Sequence, residues 1–231
     1  MNSFIRPLVL CVAVMIFPVV TRAQVSTPAV PSATGLSGVE LSDGLKAGLG
    51  SALESALGKL IKPDGLKVSP PKVLATLEKN AGQSDASGGL SAALSAAAAK
   101  IAPQAATLMR DVFKNVKIDD AKAVLTGGPG AGTAFLRKSM EAPLREKLLP
   151  LVKEATASAG VAAKAKELLA AAGPCAAMGG GKAAADIDGY LCDQVISKSF
   201  QFLGKEEAAM RANPSLLSNP LAQKVFTLFK K

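Results

Sequence analysis

Residues 126–138 read TGGPGAGTAFLRK, in which Gly127, Gly132 and Thr133 fall close to the G-x-x-x-x-G-K-[ST] spacing of a loop that cradles nucleotide phosphates with backbone N–H groups. That chemistry also needs a lysine ahead of the hydroxyl residue and a buried strand before the loop. Here Gly132 is followed directly by Thr133, the lysine is missing, and Asp120 to Leu125 has the character of a short helix. No other segment reads as a strand ending in a metal-binding Asp, so no nucleotide is expected. The glycines are better read as a helix stop at Gly127, a corner, and a helix start at which Thr133 takes part.

Other reactive constellations fail on composition or spacing. The chain has no His, which removes Ser-His-Asp and Cys-His nucleophile arrangements, H-E-x-x-H zinc sites and His-based acid/base catalysis. Asp186-Ile187-Asp188-Gly189 looks like the start of a calcium loop, but aligning Gly189 with its invariant glycine puts Ala184 and Val195 at the first and last ligand positions. A helix cap and first-turn charge explain the two Asp residues instead. Asp119 and Asp120 are neighbours on a helix and do not face each other, so placement at a helix N-terminus is their expected role. No catalytic residue, cofactor or metal site is therefore expected.

The elements that hold these residues are helical. Leu41, Leu45, Leu49, Leu53, Leu57 and Ile61 form an apolar stripe, opened by Ser42 or Asp43 and closed by Lys62-Pro63-Asp64-Gly65. Gly44, Gly48, Gly50 and Gly58 either weaken that helix, at about 1 kcal/mol each relative to Ala, or let a neighbour approach closely. A short helix is predicted over 71–80. Ala-rich Leu90 to Ala102 is expected to break or kink at Pro103 before the period resumes to Val116. Thr133 to Ala159 follows the glycines, bent or divided at Pro143 and Pro150, and Val161 to Ala172 forms another helix after Gly160. Gly173 to Ala185 reads as a flexible loop, Asp186 opens a helix through Leu203, and a short helix covers Leu221 to Phe229. No segment alternates with period two, so the fold class is all-α: one domain, a multi-helix bundle of short amphipathic helices.

Residues 1–23 read as a signal peptide, with Arg6 ahead of an apolar run from Leu8 to Val20 and Thr21-Arg22-Ala23 before the cut. The run is too short for a membrane span and carries Pro18. Residues 24–38, rich in Pro, Ser and Thr, read as a flexible linker, and 39–231 as the helical domain. A periplasmic or secreted location follows, with cleavage near Ala23. In that compartment Cys175 and Cys192 are expected to form a disulfide, whose loop closure contributes about 3 kcal/mol in the chain-entropy model. The net charge of +9 suits an anionic envelope component, while the absence of Trp and the single Tyr leave few stacking platforms for nucleic acid.

The order of segments resembles the bacterial domain of unknown function 4197 family. KPDG at 62–65 is similar to its K-P-D-G-F turn, with Leu66 in place of Phe. The stretch AAAAKIAPQAATLMRDVFKNVKIDDAKAVLTGG is similar to a segment in which A-x-x-A-P leads through an apolar helix to D-A and L-x-G. GAGTAFLRK is similar to an A-A-T-x-Y-F-R segment, with Phe135 at the Tyr. EEAAMRANP is similar to E-x-x-I-R-x-N-P at Glu207, Met210, Arg211, Asn213 and Pro214. The resemblance implies an exported, predominantly helical bacterial protein and brings no established activity. A non-catalytic binding module of the cell envelope is the expected function, its partner an envelope protein or an anionic envelope component, with Arg137, Lys138 and Arg211 as the charged residues to probe. The alternative is a carrier of lipid or another apolar ligand in a cavity between helices.

Overall fold

A computed structural model describes residues 35–62, 65–82 and 89–230, with the side chains of 174–179 left out. The expected leader and most of the expected linker lie outside the described residues, as do Pro63 and Asp64 of the KPDG turn.

The described chain contains nine α-helices and no strand: α1 (Gly38–Leu60), α2 (Lys72–Asn80), α3 (Leu90–Lys114), α4 (Ala121–Thr126), α5 (Ala131–Ser158), α6 (Val161–Ala172), α7 (Pro174–Ala185), α8 (Ile187–Ala212) and α9 (Pro220–Leu228). A 3-10 turn, Pro214–Leu216, joins the last two. The fold is all-α. Helix α5 packs on α3 and α8, α1 packs on α8 and α9, and α2, α6 and α7 group together.

Helix α1 carries the leucine stripe inward, with Leu41, Leu45, Leu49, Leu53 and Leu57 buried, but Ile61, the last expected member, is the C-cap and 44% exposed, and Leu60 is buried in its place. Burying one such side chain contributes about 1.5–3 kcal/mol, against about 1 kcal/mol lost to a helical glycine, so the stripe decides the conformation. Two of the glycines serve close approach. A Cβ at Gly44 would lie 2.5 Å from Val225 Cγ2, and one at Gly48 would lie 2.4 Å from Phe226 Cε2, so α9 seats directly on the α1 backbone. Gly50 meets Phe113 at ordinary contact distance, and Gly58 faces open space.

The helix starts earlier than Ser42 or Asp43. Ser37 is the N-cap, accepting from the Glu40 N–H at 3.2 Å, while the Glu40 carboxylate accepts from the Ser37 N–H at 2.7 Å. Leu36 is already buried, so the folded domain reaches into the last residues of the expected linker. Ser42 instead donates to the Ile118 carbonyl at 3.1 Å.

Prolines do not divide the long helices. Pro103 lies within α3, and Pro143 and Pro150 lie within α5. A helical proline frees the carbonyl four residues back. Here those carbonyls belong to Ala99, Ser139 and Glu146, all exposed residues on the solvent face of their helices. The cost of each proline is thereby reduced, and the apolar faces on either side remain in register.

Two further expectations are corrected. Gly173–Ala185 is not a loop: residues 174–185 form α7, opened by Pro174 at a first-turn position. Its Gly180 packs where a Cβ would meet Leu169 Cδ2 at 2.6 Å and Leu74 Cδ2 at 3.3 Å, so this glycine serves helix contact. Helix α8 does not end at Leu203. It runs on through Gly204 to Ala212, stitched to α1 by Ser55 and Lys59 on Glu206.

Gly65 has a different role. Its N–H donates to the Lys62 carbonyl at 2.8 Å, and a Cβ there would lie 2.1 Å from the Lys59 carbonyl oxygen. We predict that Gly65→Ala destabilises the domain by about 1–3 kcal/mol through overpacking. Gly58→Ala, on an open helix face, stabilises it by about 0.5–1 kcal/mol. Urea unfolding of the two variants beside the parent chain checks both signs.

Candidate functional site

The corner between α4 and α5 is built from residues that cannot cap it themselves. Asp120 does cap the start of α4, accepting from the Ala123 N–H at 2.9 Å. At the other end, the Gly127 N–H donates to the Ala123 carbonyl, and a Cβ on Gly127 would lie 2.5 Å from Ala131 Cβ. Gly130 then turns the chain with φ +93°, a left-handed conformation that favours glycine. It leaves α5 with no side-chain cap of its own.

The missing cap comes from α8. The Gly132 N–H donates to Glu207 Oε1 at 2.9 Å, and the Thr133 N–H and hydroxyl donate to Oε2 at 2.6 and 2.7 Å. Glu207 is fully buried, at 0% exposure. Gly132 makes this approach feasible, because a Cβ would meet Leu49 Cδ2 at 2.6 Å and Glu207 Oε1 at 3.0 Å. Thr133 thus marks the helix start by binding a carboxylate from another helix, not by capping its own.

One turn along α8, Arg211 completes the clamp. Its Nε donates to Glu207 Oε1 at 2.9 Å, Nη1 to the Leu125 carbonyl at 3.1 Å, and Nη2 to the Val124 carbonyl at 3.0 Å. Its guanidinium lies 5.8 Å from the Phe226 ring centroid. The carboxylate therefore sits on the positive start of α5 and the guanidinium on the negative end of α4. The N–H groups that would hold a phosphate in a nucleotide loop here hold Glu207.

The same device recurs at α3, whose N-cap is Gly89. Buried Glu78 of α2 accepts from the Ser91 N–H at 2.9 Å and from the Ser91 hydroxyl. Among the described residues, both buried carboxylates are thus committed to helix starts. Among the described residues no group of three or more acidic or thiol side chains is placed to hold a metal. Asp188 Oδ1 accepts from the Thr156 hydroxyl at 2.6 Å, joining α8 to α5, and Asp186 makes no side-chain cap.

The charged residues singled out from the sequence separate into different environments. Arg137 is half-exposed, pairs with Glu141 through two bonds of 3.1 Å, and lies 6.0 Å from the Phe200 ring centroid. Its hydrogen bonds hold the Glu141 carboxyl below the usual range. Lys138 is exposed. Arg211 is 14% exposed and turned inward. Phe135 is partly buried against the core. Cys192 is buried within the core, where burial raises the pKa of its thiol. Cys175 stands in the first turn of α7, where side chains lie outside the described residues, and the expected disulfide rests on it.

Glu207 was not picked out as an anchor by sequence reasoning, although the signal was present. An E-x-x-x-R pair on one helix face, in a chain with two long helices that begin at glycine, is what an internal cap requires.

Beside the clamp, the corner, the end of α8 and α9 enclose a recess of about 270 Å³. Leu125, Pro129, Ala208, Ala212, Phe226 and Phe229 give it apolar walls, and Arg211 and Lys230 are its cations. Among the described residues, no carboxylate lines it.

Residues 35–227 match the family described as Protein of unknown function (DUF4197), and the chain belongs to that family. No curated protein matches the chain. No solved structure matches it either. The GAGT and E-x-x-M-R segments, far apart in sequence, meet at the Glu207 clamp.

Removing one partner of a buried ion pair costs about 3–5 kcal/mol, so Glu207→Gln is expected to lose that much stability. Thr133→Val, which removes one bond to a charged group, loses about 1.5–3 kcal/mol. In a double-mutant cycle, Glu207→Gln with Arg211→Gln costs less than the sum of the single changes. A Glu207→Gln loss below about 0.5 kcal/mol, the range of an ordinary surface change, would sink the clamp.

Proposed function

We propose that this family member is an exported, non-catalytic binding module of the cell envelope, and that it engages its partner at the recess beside the α4–α5 corner. The carrying observation is the recess itself: about 270 Å³ of mostly apolar space, beside the hydrogen-bonded Glu207–Arg211 clamp. Concave apolar sites with a few polar groups are where proteins hold ligands. The commitment of Glu78 and Glu207 to helix N–H groups supports a non-catalytic reading. A general base needs an accessible lone pair in reach of substrate, and these carboxylates spend theirs on the fold.

Export rests on the leader-like residues 1–23. No helix among the described residues is long and apolar enough to cross a membrane, and Lys138 with other exposed lysines suits an anionic envelope surface. The alternative, a carrier enclosing lipid between its helices, has less support. The void among Leu108, Met109, Leu144, Leu148 and Val195 is about 10 Å³, at the lower limit for one water.

Fractionation of the native host with intact-mass measurement is expected to find the chain in the periplasm or medium, starting at Gln24. A photo-crosslinking residue at Ala212 is expected to trap one envelope component in living cells, while the same residue at exposed Ala142 on α5 does not. Equal adduct patterns from the two positions would remove the recess as the contact point.

A further inference from the structure

Resting on the reading of the recess as a binding site, we propose that its occupant is a free medium-chain fatty acid, with the chain in the apolar recess and the carboxylate at the Arg211 and Lys230 side. Size sets the first limit. At about 270 Å³ the recess lies just below the 300–1,000 Å³ range of drug-sized pockets, which suits a single short chain.

Shape and lining set the second. Leu125, Pro129, Phe226 and Phe229 offer carbon surface, while Ala208 and Ala212, one turn apart on α8, keep the wall open by being small. Aromatic faces are few in this chain, and two of them line this one recess. A chain of methylenes gains about 0.8 kcal/mol for each group buried there.

Charge sets the third. Among the described residues, Arg211 and Lys230 are the ionisable members of the lining, and both are cations. Four of the five Arg211 N–H donors are used internally, which leaves one Nη2 hydrogen. Lys230 is exposed at the end of α9, with three donors of its own. A carboxylate head completes this set, whereas a neutral head leaves it unused and a cationic head is repelled.

Decanoate, decanol and decyltrimethylammonium share a chain length and differ in head charge, so titrating each into the mature protein by calorimetry tests the assignment. Decanoate is expected to bind at least about tenfold more tightly than decanol, the factor that about 1.4 kcal/mol supplies, and the cation is expected not to bind. Lys230→Gln should weaken decanoate several-fold and leave decanol unchanged. Ala208→Phe and Ala212→Phe, at exposed helix positions, should abolish binding with the melting temperature unchanged. Equal affinity for decanoate and decanol, or full binding by both filled variants, overturns the proposal. If decanoate fails to bind while Ala212 still traps an envelope component, the fatty acid is wrong and the binding-module reading stands; if both fail, both fall.

Discussion

A helix that begins at a glycine must find acceptors elsewhere for its first N–H groups, and in this domain that need organises the packing. Gly130 and Gly89 open α5 and α3 without a capping oxygen. Buried N–H groups left without partners cost about 1–3 kcal/mol each. Glu207 and Glu78 satisfy them from other helices, and in doing so fix α8 against α5 and α2 against α3. Burial of the Glu207 carboxylate is itself costly, and Arg211 offsets it. The pair therefore contributes more to placing three elements than to net stability: α8 supplies both charges, α5 receives one and α4 the other.

The glycines around this clamp follow from the same constraint. Gly132 has to lack a side chain because Leu49 and the Glu207 carboxylate already occupy the space. Gly44 and Gly48 lack one because α9 lies on α1, and α9 brings Phe226 under the Arg211 guanidinium. The clamp, the α4–α5 corner and α9 are thus one assembly. Leu49 of the leucine stripe touches its floor, which ties the assembly to the main core.

Much of this was legible from residue periodicity. The leucines of the α1 stripe, the α5–α6 boundary at Gly160, the placement of Asp120 at a helix N-terminus and the all-α class follow from local patterns that the tertiary structure did not override. The misreadings have a common cause. Pro103, Pro143 and Pro150 read locally as sites that break or bend a helix, yet the chain stays helical through all three, and the residues four back, Ala99, Ser139 and Glu146, are exposed. Gly180 and Gly204 signal flexibility by type, yet they lie within helices. The clamp was hidden for a stronger reason: Glu207 and Gly132 are distant in sequence, and a Glu in a charged helical segment carries no mark of being buried. The missing lysine in GAGT excluded a phosphate, but did not reveal that a carboxylate from α8 fills its place.

The recess exists because the two ends of the clamp are polar and its surroundings are not. Arg211 must reach the carbonyls of Val124 and Leu125, which holds the α4 end a guanidinium's length from the α8 backbone. Ala208 and Ala212 flank that reach and are too small to fill the space beside it. Phe226 and Phe229 close the far side from α9 and its end, Phe226 lying against Arg211 and Phe229 against the core. A gap lined by carbon and edged by cations is the geometric remainder of that arrangement. Shrinking it would require either a shorter cation than arginine, which would not reach the α4 carbonyls, or a larger residue at Ala208 or Ala212, which the clamp itself does not demand.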